Sequence, residues 1–143
     1  MRRIYGCLVF ALLLAPPLFA QEHYTEGPVW RVQLIRVKPT QMDAYLTSLQ
    51  QGTKPFIEEE KRQGIIMDYK IFLKETKSGP QDWDIAVAVQ YKNHAAMDGE
   101  VAKAEAVRDK VLGGKQPAQQ LSEKRAEIRE IISSELMQEI TLK

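Results

Sequence analysis

The chain has 143 residues, with 20 lysines and arginines against 19 aspartates and glutamates and a net charge of +1 at neutral pH. This balance, without any basic run, argues against nucleic acid as a partner. The single cysteine, Cys7, and the two histidines exclude an intramolecular disulfide and a standard multi-cysteine or multi-histidine zinc site, so no metal site is predicted.

The first twenty residues have the pattern of a secretory signal peptide. Arg2 and Arg3 precede an apolar run over residues 4–15, and Ala20 stands at the expected cleavage point. The apolar run is shorter than the roughly 20 residues that span a bilayer, so no stable membrane anchor is expected. We therefore predict a secreted or periplasmic protein. Its mature chain keeps all 19 acidic residues and loses two of the 20 basic ones, which leaves 18.

Residues 21–28 are expected to form a flexible lead-in to a single domain over residues 29–142. Its clearest element is the stretch from Asp82 to Tyr91, where apolar residues alternate with smaller or polar ones and predict a strand. Alternation predicts further strands over residues 29–38, 65–74 and 136–142. Residues 76–80 form a turn between the second strand and the third.

Helices are predicted between these strands from apolar residues at intervals of three and four. The first follows Thr40 as its cap, is interrupted by Gly52 and Pro55, and ends at Gly64. The acidic and basic run over residues 58–62 is interpreted as the solvated end of this helix. The second helix follows Asn93 as its cap and ends at residues 113–114. A third begins at residue 117 and stops at residues 133–134.

The order of elements predicts an α+β protein with the ferredoxin-like βαββαβ pattern, a four-stranded antiparallel sheet and an extra helix before the last strand. Pairing Lys74 with Asp82 in the hairpin places Leu73 opposite Trp83, and the large apolar residues of both strands then share one face. Since helices cover only one face, the apolar residues of the other face favour a homodimer. These residues are taken to be Ile35, Val37, Ile66 and Phe72.

The first strand with its helix, and the strand over residues 83–91 with the helix after Asn93, resemble the dimeric α/β-barrel superfamily. That superfamily includes antibiotic-biosynthesis-type monooxygenases and many uncharacterised exported proteins. The resemblance implies two sheets that face each other across a homodimer and enclose a cavity for a small apolar or amphipathic molecule.

Polar side chains are expected on the face of the sheet that lines this barrel. They are Arg31, Gln33, Asp68, Lys70, Asp84, Gln90 and Glu139, with Ala86 and Ala88 leaving room between them. The residues predicted to bind the ligand are Arg31, Gln33, Lys70, Trp83 and Gln90. Balanced charges on a sheet face also pair with one another without any ligand, and this simpler interpretation stays open.

Candidates for catalysis are Asp84, Asp68 and His94. Asp84 is the first choice as a proton acceptor, with an ion pair to Arg31 or Lys70 as its alternative role. Haem-degrading members of the superfamily use a tryptophan on the third strand and a histidine shortly beyond it, and Trp83 and His94 are eleven residues apart. Those members also have an asparagine on the first strand, where this chain has Gln33. No cofactor is predicted, and haem is kept as an alternative.

The sequence is compatible with two functions. The first is an exported protein that binds a small molecule of unknown identity in a cavity inside its homodimer. The alternative is a cofactor-independent or haem-dependent monooxygenase or isomerase that acts on a small apolar substrate.

Overall fold

A four-stranded antiparallel sheet is the framework of residues 23–143, the part of the chain that this computed structural model describes. The strands are β1 (Tyr24–Val37), β2 (Asp68–Leu73), β3 (Ile85–Tyr91) and β4 (Arg129–Leu142). They lie in the order β2-β3-β1-β4. The predicted signal peptide lies outside the described residues.

Four helices connect the strands and cover one face of the sheet. They are α1 (Met42–Ser48), α2 (Lys54–Arg62), α3 (Glu100–Leu112) and α4 (Lys115–Ile128). The chain is thus an α+β protein with the predicted βαββαβ order and α4 as the extra helix, which confirms the ferredoxin-like fold. The core lies between the helices and the sheet, where Tyr45, Leu49 and Ile57 pack against Ile35 and Ile85.

In the β2-β3 hairpin the side chains lie on the predicted faces, but the residue pairs differ from those predicted. Leu73 pairs with Ile85 and Ile71 with Val87, a shift of two residues from the expected pairing of Leu73 with Trp83. A shift of two keeps every side chain on its face, because side chains alternate with a period of two. Trp83 consequently precedes β3.

The first and last strands are longer than predicted. The lead-in predicted over residues 21–28 is wrong from residue 24 onward, since Tyr24 pairs with Leu142 and Glu26 with Ile140. The helix predicted to continue to residues 133–134 ends at Ile128, and β4 begins directly after it. Backbone hydrogen bonds to the whole length of β1 stabilise this segment as a strand, although the spacing of its isoleucines favours a helix.

The predicted interruption of the first helix is confirmed. α1 and α2 are joined by a π-helical turn over Leu49–Thr53, next to Pro55, which has no N–H to donate. Thr40 is not the cap: it has a φ of 65°, and the helix begins after Gln41. Asn93 does act as a cap, accepting a hydrogen bond from the Ala96 N–H at 2.9 Å, but only of a short 3-10 turn.

The predicted assignment of β1 to the two faces of the sheet is wrong. Arg31 pairs with Val89 and Gln33 with Val87, so both point toward the helices together with the large apolar residues of β3. Ile35, Val37 and Ile66, expected on the face away from the helices, are buried in the core. The prediction failed because alternation within a strand shows which of its side chains share a face. It does not show which face of β1 lies on the same side of the sheet as a given face of β3.

The open face, the side of the sheet that no helix covers, is more apolar than predicted. Trp30, Val32 and Leu34 of β1 are half-buried there. Phe72 of β2 and Met137 of β4 lie on the same face and are 49% and 44% exposed. These side chains form an apolar strip on this side, which extends from β2 across the small side chains of β3 to β1 and β4.

Candidate functional site

A cavity of about 690 Å³ lies between the helix-facing side of the sheet and helices α2, α3 and α4. It falls within the range of typical small-molecule sites. Its apolar lining includes Phe56, Ile57, Val87, Val89 and Leu112. Its charged lining includes Arg31, Glu60, Glu100, Arg108 and Arg125. The cavity belongs to a single chain, whereas the ligand was expected from the sequence to lie between two sheets of a dimer.

Arg31, Tyr91 and Glu100 form a connected polar group in this cavity. The Arg31 guanidinium donates two hydrogen bonds of 2.5 Å to the Glu100 carboxylate, and the Tyr91 hydroxyl donates another of 2.5 Å. Burial acts to raise the pKa of Glu100, but these hydrogen bonds outweigh it and hold the pKa below its usual value. Glu100 is therefore an anion whose charge is compensated by Arg31.

Glu60 is another carboxyl group of the cavity, and it forms no ion pair among the described residues. The residue is only 6% exposed, and its carboxyl makes no hydrogen bond within the described part of the chain. Burial, together with the negative charge of Glu100, raises the pKa of Glu60 to about 7, although Arg31 opposes this shift. Glu60 thus exchanges a proton close to neutral pH, as a general acid or base must.

The candidate ligand residues from the sequence do not form one site. Arg31 and Gln33 line the cavity. Lys70 and Gln90 lie on the open face, where the Lys70 ammonium is 5.6 Å from the centre of the Trp30 ring. Trp83 lies in the segment before β3, with the Lys74 ammonium 4.7 Å from its ring.

Asp84, the first catalytic candidate, also lies outside the cavity. Its buried carboxylate accepts a hydrogen bond of 2.8 Å from the Val37 N–H and forms an ion pair with Lys77. The predicted partners, Arg31 and Lys70, are not the ones it contacts. Asp84 thus joins the end of β1 to the loop between β2 and β3, in the wall of a second cavity of about 440 Å³.

The other two catalytic candidates are likewise not among the residues that line the cavity. Asp68 forms an ion pair of 2.7 Å with Lys61 at the beginning of β2. His94 is exposed in the short turn before α3. Neither His94 nor Trp83 lines the cavity, so the two residues of the haem-degrading pattern do not meet there.

The charged residues of the cavity other than Arg31 were not predicted from the sequence, although the spacing of two of them, Glu60 and Arg125, was informative. Glu60 is three residues beyond Ile57 and four beyond Phe56, on the buried side of α2, yet its acidic neighbours suggested a solvated helix end. Arg125 likewise lies four residues beyond Leu121 and three before Ile128. A charged residue on the apolar side of a helix was the available signal.

No helix within residues 23–143 is long and apolar enough to cross a membrane. No group of three or more histidine, cysteine, aspartate or glutamate side chains in that range is arranged to hold a metal ion.

Comparison with known proteins places the chain by its fold. No protein-family model matches it, and no curated protein is significantly similar to it in sequence. Among solved structures, it is similar to a dimeric ferredoxin-like protein from an uncultured marine organism, with a TM-score of 0.53 and 12% identity over 82% of this chain and 90% of that one. It is also similar to HapK from Hahella chejuensis, with a TM-score of 0.50 and 12% identity over 78% of this chain and 91% of that one.

These similarities define a class of protein, the ferredoxin-like α+β domains, of which a structurally similar member is described as dimeric. At 12% identity they establish the fold alone. The function must therefore be inferred from the cavity.

Proposed function

We propose that the chain is an exported small-molecule-binding protein that acts as a homodimer and holds its ligand in the cavity of each chain. The observation that carries the proposal is the cavity itself, with apolar walls and a few convergent charged groups. Such a combination is typical of ligand sites, since apolar walls supply affinity and a few polar groups fix orientation. Export is supported by the signal-peptide pattern of residues 1–20.

The homodimer is supported by two observations. The open face carries a strip of apolar side chains that no element of the described chain covers, including Trp30, Phe72 and Met137. A protein of the same fold is described as dimeric. Packing two such faces together removes this apolar surface from water and leaves the cavities on the helix-covered sides accessible.

The binding test uses N-phenyl-1-naphthylamine, a neutral fluorescent probe of apolar sites, with the full mature chain. Ala104 of α3 lines the cavity, so Ala104→Phe fills part of it and is expected to weaken probe binding about 10-fold or more. Ala102 lies on the exposed side of the same helix, and Ala102→Phe is the matched control. No probe binding to the wild-type chain, or equal binding by the Ala104→Phe variant, would refute the proposed site.

The second candidate function is a cofactor-independent monooxygenase or isomerase. The observation that favours it is Glu60, a carboxyl group in the cavity wall whose pKa, raised to about 7 by burial and by Glu100, suits a general base. The resemblance to antibiotic-biosynthesis-type monooxygenases points in the same direction.

Native mass spectrometry of the protein purified from its own cell envelope distinguishes the two functions. A retained molecule that exchanges carbon-bound hydrogen for deuterium in D2O, and stops doing so in Glu60→Gln, identifies an enzyme. A molecule that is retained but unchanged in D2O identifies a binding protein. Molecules retained equally by wild type and Ala104→Phe would not be bound in the cavity.

A further inference from the structure

One end of the cavity carries positive charge that the protein does not compensate. Arg125 of α4 lines the cavity there and donates hydrogen bonds only to uncharged groups, the Thr53 hydroxyl at 2.6 Å and the Leu121 carbonyl at 3.4 Å. Within residues 23–143 no carboxylate oxygen lies within 4.0 Å of its guanidinium. The charge of Arg125 is therefore unpaired.

Arg129, the first residue of β4 and four residues beyond Arg125, adds a second cation without an ion pair in the described chain. Its Nε and one terminal nitrogen are buried and make no hydrogen bond, and its guanidinium lies 5.9 Å from the centre of the Tyr45 ring. Burial lowers the pKa of Arg125, and the charge of Arg129 lowers it further. Two neighbouring part-buried cations destabilise the fold unless an anion joins them.

The other arginines of the cavity differ from this pair. Arg31 is neutralised by the Glu100 carboxylate through two hydrogen bonds. Arg108 has acidic neighbours, with Asp109 at 3.5 Å and Glu105 at 3.7 Å, although its buried Nε makes no hydrogen bond. Uncompensated charge is thus concentrated at the end of the cavity formed by α4.

We propose that the ligand is an amphipathic anion, whose carboxylate or phosphate group binds Arg125 while its apolar body packs against Phe56, Val89 and Leu112. This inference rests on the proposed function and specifies the chemical class of the ligand. The anion accepts charge-assisted hydrogen bonds from Arg125 and is attracted by Arg129. The apolar wall opposite then excludes water from the pair.

The test compares two fluorescent probes with the same aromatic skeleton, anionic 1-anilinonaphthalene-8-sulfonate and neutral N-phenyl-1-naphthylamine. Arg125→Gln is expected to weaken binding of the anionic probe about 10-fold, because a charged hydrogen bond is lost, and to change binding of the neutral probe less than about 2-fold. Lys124→Gln removes the same charge from an exposed position on the same helix and is the matched control.

The outcomes separate this inference from the proposed function. If both probes bind and Arg125→Gln affects neither, the anion site is refuted while the small-molecule site stands. If neither probe binds the wild-type chain, both fail. The Ala104→Phe variant must lose both probes for binding to be assigned to the cavity.

A competition on the wild-type chain needs no variant and also distinguishes the two anionic groups. 2-Naphthoate or 1-naphthyl phosphate is expected to displace the neutral probe at about 10-fold lower concentration than uncharged 2-naphthol. The stronger of the two identifies a carboxylate or a phosphate site. Equal potency of all three compounds overturns the inference.

Discussion

Arg31 on β1 and Glu100 at the first turn of α3 are joined by two parallel hydrogen bonds of 2.5 Å, which tie the middle of the sheet to the helix layer. The side chains are 32% and 19% exposed, so the pair is only partly screened by water. The same guanidinium lies 5.2 Å from the centre of the Tyr91 ring, against the cavity wall. This pair sets the shape of the cavity as well as its charge.

The first prediction is that Glu100→Gln lowers the free energy of unfolding by about 1–3 kcal/mol, because it leaves the Arg31 charge part-buried without an anion. Urea denaturation at pH 7 measures the change. Glu105→Gln on the same helix removes an exposed carboxylate that is 3.7 Å from Arg108, and it should cost less than about 0.5 kcal/mol. Equal losses in the two variants would contradict a specific role for the pair.

The second prediction concerns the pH dependence of stability. The pKa of Glu60 is raised from 4.5 to about 7 by burial and by Glu100, against the opposing charge of Arg31. Between these values the folded chain binds more protons at Glu60 than the unfolded chain does, so stability falls as pH rises. Above about pH 7, the ionisation of Glu60 lowers the free energy of unfolding by its full amount. This penalty is on the order of 2 kcal/mol after allowance for the partial solvation of the carboxyl group.

Glu60→Gln should remove this penalty. We expect the variant to be more stable than the wild type at pH 8 and similar to it at pH 4.5, as measured by urea denaturation at both pH values. Glu75→Gln, in the exposed loop after β2, is the control, and its stability should depend on pH as that of the wild type does. A wild-type chain whose stability rises steadily between pH 5 and pH 7 would contradict the assignment.

The architecture was predictable from the sequence because most of its determinants are local. The alternation in β3, the glycine at residue 64 with its φ of 72°, and the Asn93 cap each act within a few residues. The break of the first helix near Pro55 is local as well. The boundaries of β4 depend instead on pairing with β1, which is more than 90 residues away in sequence.

The candidate site was less predictable, because it depends on how elements from opposite ends of the chain meet. Alternation within β1 does not show which set of side chains faces the helices, so Arg31 and Gln33 were grouped with Lys70 and Gln90, which lie across the sheet. Burial of Glu60 results from contacts of α2 with the sheet and α3. Its spacing from Phe56 and Ile57 is the local signal for this burial, but the charged run over residues 58–62 suggested a solvated helix end instead.

The third prediction tests whether Asp84 is structural. Asp84→Asn weakens the interaction with Lys77 and with the Val37 N–H, so it should destabilise the fold by about 1–3 kcal/mol. Because Asp84 lies outside the cavity, binding of N-phenyl-1-naphthylamine should be unchanged. Asp68→Asn, at the half-exposed ion pair with Lys61, is the comparison and should cost less than about 1 kcal/mol. Loss of probe binding without loss of stability would make Asp84 a functional residue after all.

The fourth prediction is that the open face forms the dimer interface. Ala88 lies at the centre of this face, between Val32 of β1 and Lys70 of β2, and is 3% exposed because larger neighbours surround it. An arginine there places a charge and a long side chain where two apolar surfaces must meet. Ala88→Arg should therefore shift a micromolar sample from dimer toward monomer, as measured by light scattering.

Ala102→Arg supplies the matched control, since it adds the same side chain on the exposed side of α3. It should remain dimeric. The probe in the cavity should still bind the monomeric Ala88→Arg variant, because the lining residues all come from one chain. A monomeric wild-type chain would refute the dimer. A dimeric Ala88→Arg variant would instead place the interface on a different surface, and the apolar strip over Trp30, Phe72 and Met137 would need another partner.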